Sequence, residues 1–158
     1  MFDKDYYIDV ENLTIHVFEN CQNVFPNIDI PWFIDYYMRS DLRAMIDKSV
    51  PRYMCMESIR VLDYMKDYGL VDYPKSDKTI DNYYGDSIIW VAMMYTFMES
   101  HFRLSSKVLS ELIPCEEMLK AFIVGHERGF ESESEHLYDT YIRHKVQFPS
   151  HLNDWEDC

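Results

Sequence analysis

A chain of 158 residues is close to the commonest size for one domain, and at that length folding buries about two thirds of the accessible surface. Hydrophobic residues at 47% and charged residues at 27% exclude a disordered chain, because enough apolar surface is present to offset backbone entropy. A formal net charge of −13 argues against direct contact with nucleic-acid phosphates or an anionic membrane, and favours a protein with a basic surface as partner.

The apolar positions Val10, Leu13, Val17 and Cys21, with Phe18 beside them, predict a first amphipathic helix. Pro26 closes it and Pro31 suits the first turn of a second, in which Trp32, Phe33, Ile34, Tyr36, Tyr37, Met38, Leu42, Met45 and Ile46 predict one segment buried on more than one side. Past Pro51, the spacing of Cys55, Ile59, Leu62 and Met65 predicts a third helix that ends near Tyr68, with Gly69 as its left-handed stop. Pro74, Ser76, Asp77 and Asn82 make 71–85 a long loop, alone or with a short strand.

Asp86 and Ser87 offer caps for the most apolar helix, which runs from Ile88 to about His101 and places Trp90 and Met94 in the core. Its apolar run, Ile88 to Met98, is well short of the ~20 residues that span a bilayer. Ser105 and Ser106 open a short helix, and Pro114 with Glu116 and Glu117 opens another that stops at Gly125. Ser132-Glu133-Ser134-Glu135 has the form of a capping box, with Leu137, Tyr138, Tyr141 and Ile142 as the stripe of a last helix to about Lys145. The expected architecture is all-α. One compact bundle of six or seven helices over 1–149 surrounds the central helix at about 87–101, and 150–158 forms an acidic tail.

Four scattered glycines permit neither a P-loop nor a dinucleotide-binding turn, and no hydrolase, zincin or kinase motif is present. The expectation is therefore a protein that is not an enzyme and needs no cofactor and no metal. Cys21, Cys55, Cys115 and Cys158 lie far apart without a C-x-x-C pair, and no signal peptide opens the chain, which predicts a cytoplasmic protein. His126, His136, His144 and His151 cluster near the end with Glu127, Glu133 and Asp139. Glu133 with His136 is the only Glu-x-x-His pair, half of what a helical di-iron site requires. An unrecognised site at His126, Glu127 and Glu133 is the enzymatic alternative. His16 and His101 fall within helices, where packing roles are expected.

Charge and aromaticity are distributed unevenly. Residues 1–37 carry Lys4 against seven acids, whereas 38–60 carry Arg39, Arg43, Lys48, Arg52 and Arg60, which predicts pairing with acidic side chains inside the fold or, as the sharper alternative, a small anion site. Acids stand beside tyrosines at Asp63-Tyr64, Asp67-Tyr68 and Asp72-Tyr73, then Tyr83-Tyr84 precedes Asp86. Tyrosine supplies contact area at low rotamer entropy and carboxylates complement a partner's Arg and Lys. These nine residues are thus the predicted partner-binding site, although Tyr36 and Tyr64 also read as core residues with hydroxyls at the surface.

The segments Trp90-Val91-Ala92-Met93-Met94-Tyr95-Thr96-Phe97, Leu104-Ser105-Ser106-Lys107-Val108-Leu109 and Ile113-Pro114-Cys115-Glu116-Glu117-Met118 resemble small helical proteins of gut Firmicutes associated with operons for ADP-ribosyltransferase-like toxins. The resemblance covers about residues 87–142, consists mostly of helix-packing positions and transfers no functional residue. It implies an antitoxin or immunity protein. Together with the acidity, it predicts an inhibitor that masks a basic surface of a toxin or nucleic-acid-processing enzyme. A phage-encoded inhibitor of a host nuclease acting as a nucleic-acid mimic, and a self-associating helical scaffold forming a homodimer, are the alternatives.

Overall fold

The computed structural model describes residues 2–145. The predicted acidic tail at 150–158 lies outside them, as do Pro149, His151 and Cys158. A 3₁₀ turn at Lys4–Tyr6 leads into α1 (Tyr7–Val24), followed by α2 (Ile30–Met38), α3 (Asp41–Asp47), α4 (Pro51–Met54), α5 (Ser58–Asp67), α6 (Ser87–Phe102), α7 (Ser106–Leu112), α8 (Cys115–Gly125) and α9 (Phe130–Leu137). The protein is all-α, as its apolar periodicity predicts. Among the described residues the one strand-like feature is an antiparallel bridge between Ile28 and Lys75, and no helix is long and apolar enough to cross a membrane.

α1 and α6 pack against each other at the centre. α5 covers α1, α8 and α9 cover α6, and α2 reaches from α1 to α7 and α8. Val10, Val17, Phe18 and Cys21 of α1 meet Ile88, Val91, Met94, Tyr95 and Met98 of α6 in a core that runs from Phe2 to Ile142. Met94 is fully buried as expected, but Trp90 is only half-buried. Trp90, Met93 and Phe97 share one stripe of α6 that faces the gap between α8 and α9, so the indole seals a rim, its ring centre 5.6 Å from Phe122 and 6.3 Å from Phe130.

The segment 30–46, predicted as one helix, is two. Asp29 accepts the Trp32 N–H at 3.1 Å and starts α2 where Pro31 predicts. α2 then ends at Arg39 because the Ser40 hydroxyl accepts the Arg43 N–H at 3.2 Å and caps α3. The region after Pro51 divides likewise into α4 and α5, with Gly69 at φ 123° after α5. Two predicted caps do not form. Asp86 makes no side-chain bond to α6, and the Ser87 hydroxyl instead donates back to Tyr84 O at 2.6 Å. α9 starts at Phe130 and not at the Ser132 box: the Glu133 N–H donates to Gly129 O at 3.0 Å, so Ser132 already lies inside the helix, and Glu135, the other half of the box, lies 3.6 Å from His101. The chain continues past α9 as a π-helical turn, Tyr138–Ile142.

Among the described Lys, Arg, Asp and Glu side chains, two, Arg43 and Glu99, have no contact with solvent. Arg43, fully buried, reaches Glu99 Oε1 at 3.1 Å, Ser106 Oγ at 2.9 Å, Thr14 Oγ1 at 2.7 Å and Tyr37 OH at 3.5 Å, with Asp47 Oδ1 3.4 Å from its Nε. Of the basic residues between 38 and 60, Arg43 alone realises the predicted pairing with acids inside the fold, joining α1, α2, α3, α6 and α7 at one point; among the described residues Arg39, Lys48, Arg52 and Arg60 are in no ion pair. The proton count around Ser106 is informative. Its oxygen accepts from Arg43 Nε and lies 2.5 Å from Asp47 Oδ1 and 2.8 Å from Glu99 Oε1, yet a hydroxyl has one hydrogen to donate. If that hydrogen goes to Asp47, the Glu99 contact needs a proton on Glu99. Glu99 Oε2 is buried without a hydrogen-bond partner, which an ionised carboxylate tolerates badly. Burial, against the pull of Arg43, accordingly pushes Glu99 from 4.5 up to about 8.

A neutral Glu99 makes stability depend on pH in a defined direction. Between 4.5 and about 8 the folded chain holds a proton that the unfolded chain releases, so this contribution is complete below 4.5 and is lost as pH rises through 8. The unfolding free energy of the wild type, from denaturant titrations, should fall across that window by up to about 1.4 kcal/mol per pH unit relative to Glu99→Gln, whose neutral amide removes the titration. Parallel pH profiles for the two proteins would show that Glu99 is ionised when folded.

Candidate protein-binding surface

α5 divides its surface by helical spacing. Val61, Leu62 and Met65 are buried, Tyr64 and Tyr68 lie one turn apart on a neighbouring stripe, and Asp63 and Asp67 are exposed on the stripe beside them. The Tyr64 and Tyr68 rings stack with centres 4.2 Å apart and planes 22° from parallel. Facing them across a groove of about 330 Å³ are Tyr36 from α2 and Ser40, Asp41, Leu42 and Met45 around α3, with Tyr53 of α4 also in the wall. Tyr36 is backed by Trp32, ring centres 5.1 Å apart and planes at 18°. Asp41 contributes an exposed carboxylate in no ion pair among the described residues, and the groove is lined by no Lys or Arg.

Tyr36 corrects its predicted place in the core: it is 42% exposed. The core face of α2 is Ile30, Phe33, Ile34, Tyr37 and Met38, which leaves Trp32, Asp35, Tyr36 and Arg39 on the other side. A 3.6-residue count over α2 alone separates these faces; reading α2 and α3 as one helix hid the separation. Tyr53 and Asp41 carried no local signal, since only the approach of α3 and α4 to α5 makes them neighbours.

The nine predicted residues do not share one surface. Tyr64 and Tyr68 belong to the groove just described, flanked by Asp63 and Asp67. Tyr83 and Tyr84 line a second groove, of about 370 Å³, with Lys78, Glu116, Lys120, Phe122 and Ile123. There the Lys78 ammonium sits 4.4 Å above the Tyr83 ring, and burial together with Asp29 pushes the Tyr84 hydroxyl up. Tyr73 is used internally. Its hydroxyl donates to Pro26 O at 3.2 Å and its ring meets Phe25 edge-on at 5.7 Å, pinning the 71–79 loop against the α1–α2 connection. Asp72 and Asp86 are exposed at the two ends of the loop region. That region is ordered further by Asp29 N to Pro74 O and Ser76 N to Asn27 O, and by a reciprocal Thr79–Asn82 cap.

The other chemical candidates have structural occupations. His126 Nδ1 is 2.6 Å from Phe122 O and Glu127 is exposed, while Glu133 is buried against Gly125, where a Cβ would collide with its carboxylate. His101 stacks on Phe97 and lies 3.6 Å from Glu135, yet like His16 it is exposed, against the expectation of packing roles. Among the described residues no three His, Cys, Asp or Glu side chains converge as metal ligands. Cys21 is buried and its thiol pushed up to about 12 by burial, and Cys115 is raised for the same reason, so neither is a ready nucleophile. No protein-family model matches the chain, and neither a curated protein nor a solved structure matches it.

The two kinds of tyrosine separate experimentally. Tyr73→Ala should lower stability by about 1 to 3 kcal/mol through the lost hydroxyl bond and ring contact. Tyr68→Ala, at a side chain 75% exposed, should change it by no more than about 0.5 kcal/mol. Thermal melts of both variants check the division, and equal destabilisation would place Tyr68 with the packing residues.

Proposed function

We propose that this chain is an acidic protein-binding inhibitor, an antitoxin or immunity protein that masks a basic surface of a partner enzyme. The observation that carries the proposal is the tyrosine groove between α2–α3 and α5, lined by Asp41 and without a cation, beside the exposed Asp63 and Asp67. Aromatic rings at a groove give contact area with little entropy to lose, and the surrounding carboxylates steer a basic partner in. The chain's charge of −13 and the resemblance of residues 87–142 to proteins associated with ADP-ribosyltransferase-like toxins support the same assignment. The chain acts by occupancy, and chemistry belongs to the partner.

A tagged copy purified from native cells should retain a basic protein whose activity falls in the complex. With that protein in hand, Tyr64→Ala or Tyr68→Ala should weaken binding by about 2 kcal/mol or more, roughly thirtyfold, mainly through faster dissociation. Asp63→Lys with Asp67→Lys should slow association and flatten its salt dependence. A partner bound with unchanged affinity by all of these variants would remove the groove from the interface. A retained nuclease displaced by DNA would favour the nucleic-acid-mimic alternative over an antitoxin.

A further inference from the structure

We infer that the tyrosine groove is a receptor for arginine side chains, taking a partner's guanidinium against Tyr36 and the Tyr64–Tyr68 stack with the Asp41 carboxylate as its counter-ion. The inference rests on the docking role proposed above and assigns the chemistry of what docks. Both aromatic pairs at the groove, Trp32–Tyr36 and Tyr64–Tyr68, are near-parallel stacks, and each leaves a tyrosine open to water, Tyr36 at 42% and Tyr68 at 75% exposed. A flat, electron-rich surface of this kind suits a planar, weakly hydrated guanidinium better than a compact, strongly hydrated ammonium.

The polar edges of the groove fit the same cation. Asp41 is a carboxylate able to accept a two-pronged bond from the guanidinium fork. Among the described residues the hydroxyls of Tyr36, Tyr53, Tyr64 and Tyr68 make no protein hydrogen bond, unlike those of Tyr73, Tyr95 and Tyr141, so their oxygens are free to accept. Arg52 lies 5.8 Å over the Tyr53 ring but is not among the residues that line the groove, so the Tyr36 and Tyr64–Tyr68 faces carry no cation of the chain itself. Arg39, in the adjoining hollow, is engaged by Ser110 through two hydrogen bonds of 3.1 and 3.0 Å and does not neutralise Asp41. The second groove lacks these properties: Lys78 covers Tyr83 and Lys120 stands in its wall, so a cation would meet charges of its own sign. The volume of about 330 Å³ admits long side chains from a partner's surface and not a folded element.

The test uses the full chain and two peptides of equal charge, Gly-Arg-Gly-Arg-Gly and Gly-Lys-Gly-Lys-Gly, titrated calorimetrically at physiological salt. The arginine peptide should bind at least about tenfold more tightly than the lysine peptide. Tyr68→Ala and Tyr36→Ala should each erase that preference, Asp41→Asn should weaken both peptides, and Tyr83→Ala should change neither. Tyr68 is the decisive position because its exposure separates binding from folding; melts accompany each variant, and Tyr36→Leu substitutes if Tyr36→Ala unfolds. Equal affinity for the two peptides, no binding of either, or a preference that survives Tyr68→Ala and disappears in Tyr83→Ala would overturn the inference. The docking role is judged separately with the cellular partner. Its loss in the groove variants, alongside equal affinity for the two peptides, would keep the role and discard the arginine selectivity; a clear arginine preference with a partner indifferent to the variants would do the reverse.

Discussion

A guanidinium sealed from water at the meeting point of five helices must have every one of its donors met, and Arg43 sets that condition for this fold. Thr14, Tyr37, Asp47, Glu99 and Ser106 come from α1, α2, α3, α6 and α7, so none of these helices can slide without leaving a buried charge short of a partner. Breaking such a cluster by removing one partner typically costs 3–5 kcal/mol, whereas the same cluster intact adds little over a well-packed apolar substitute. Its effect is chiefly on which arrangement of helices is adopted. Asp47 and Glu99 would bring two negative charges to one positive charge, and burial in a medium that screens poorly raises the Glu99 pKa, which favours its neutral form.

The same condition shapes the surface. For Arg43 to enter the core from the segment after α2, the helix has to break, and Ser40 provides the break by capping α3. The break detaches Asp41, Leu42 and Met45 from the line of α2 and sets them opposite α5, where Tyr64 and Tyr68 complete the groove. A second long-range bond fastens the body of α2: Asp35 accepts the Cys115 N–H at 2.9 Å and so caps α8 from across the fold. The groove walls are thus held by buried polar bonds while their aromatic faces stay in solvent, a rigid frame around an adaptable contact surface.

The loop that joins α5 to α6 is organised by a different means. Tyr73, the Ile28–Lys75 bridge and the Thr79–Asn82 cap satisfy its backbone locally, so a segment with weak apolar periodicity is nonetheless held to the α1–α2 connection. Its tyrosines consequently have separate tasks, Tyr73 in packing and Tyr83 and Tyr84 on a groove rimmed by lysines.

Apolar spacing within the chain was sufficient to determine that the protein is all-α, where α1, α6, α7 and α8 run, that Gly69 follows a helix end, and that 71–79 is irregular, because each of these depends on neighbours within a few residues; the helical turn Ile80–Tyr84, inside the stretch predicted as loop, was not legible. Composition likewise fixed an acidic, tyrosine-rich surface. The sequence also placed Tyr64 and Tyr68 beside acids, a pairing of adjacent residues. What only the tertiary structure decided involves distant partners: the burial of Arg43, the raised pKa of Glu99, the capping of α8 by Asp35, the inward turn of Glu133 against Gly125, and the union of Tyr36, Asp41 and Tyr53 with α5. A side chain's charge state and exposure are set by the desolvation and hydrogen bonds it meets after folding, and for these residues those partners lie on helices far away along the chain.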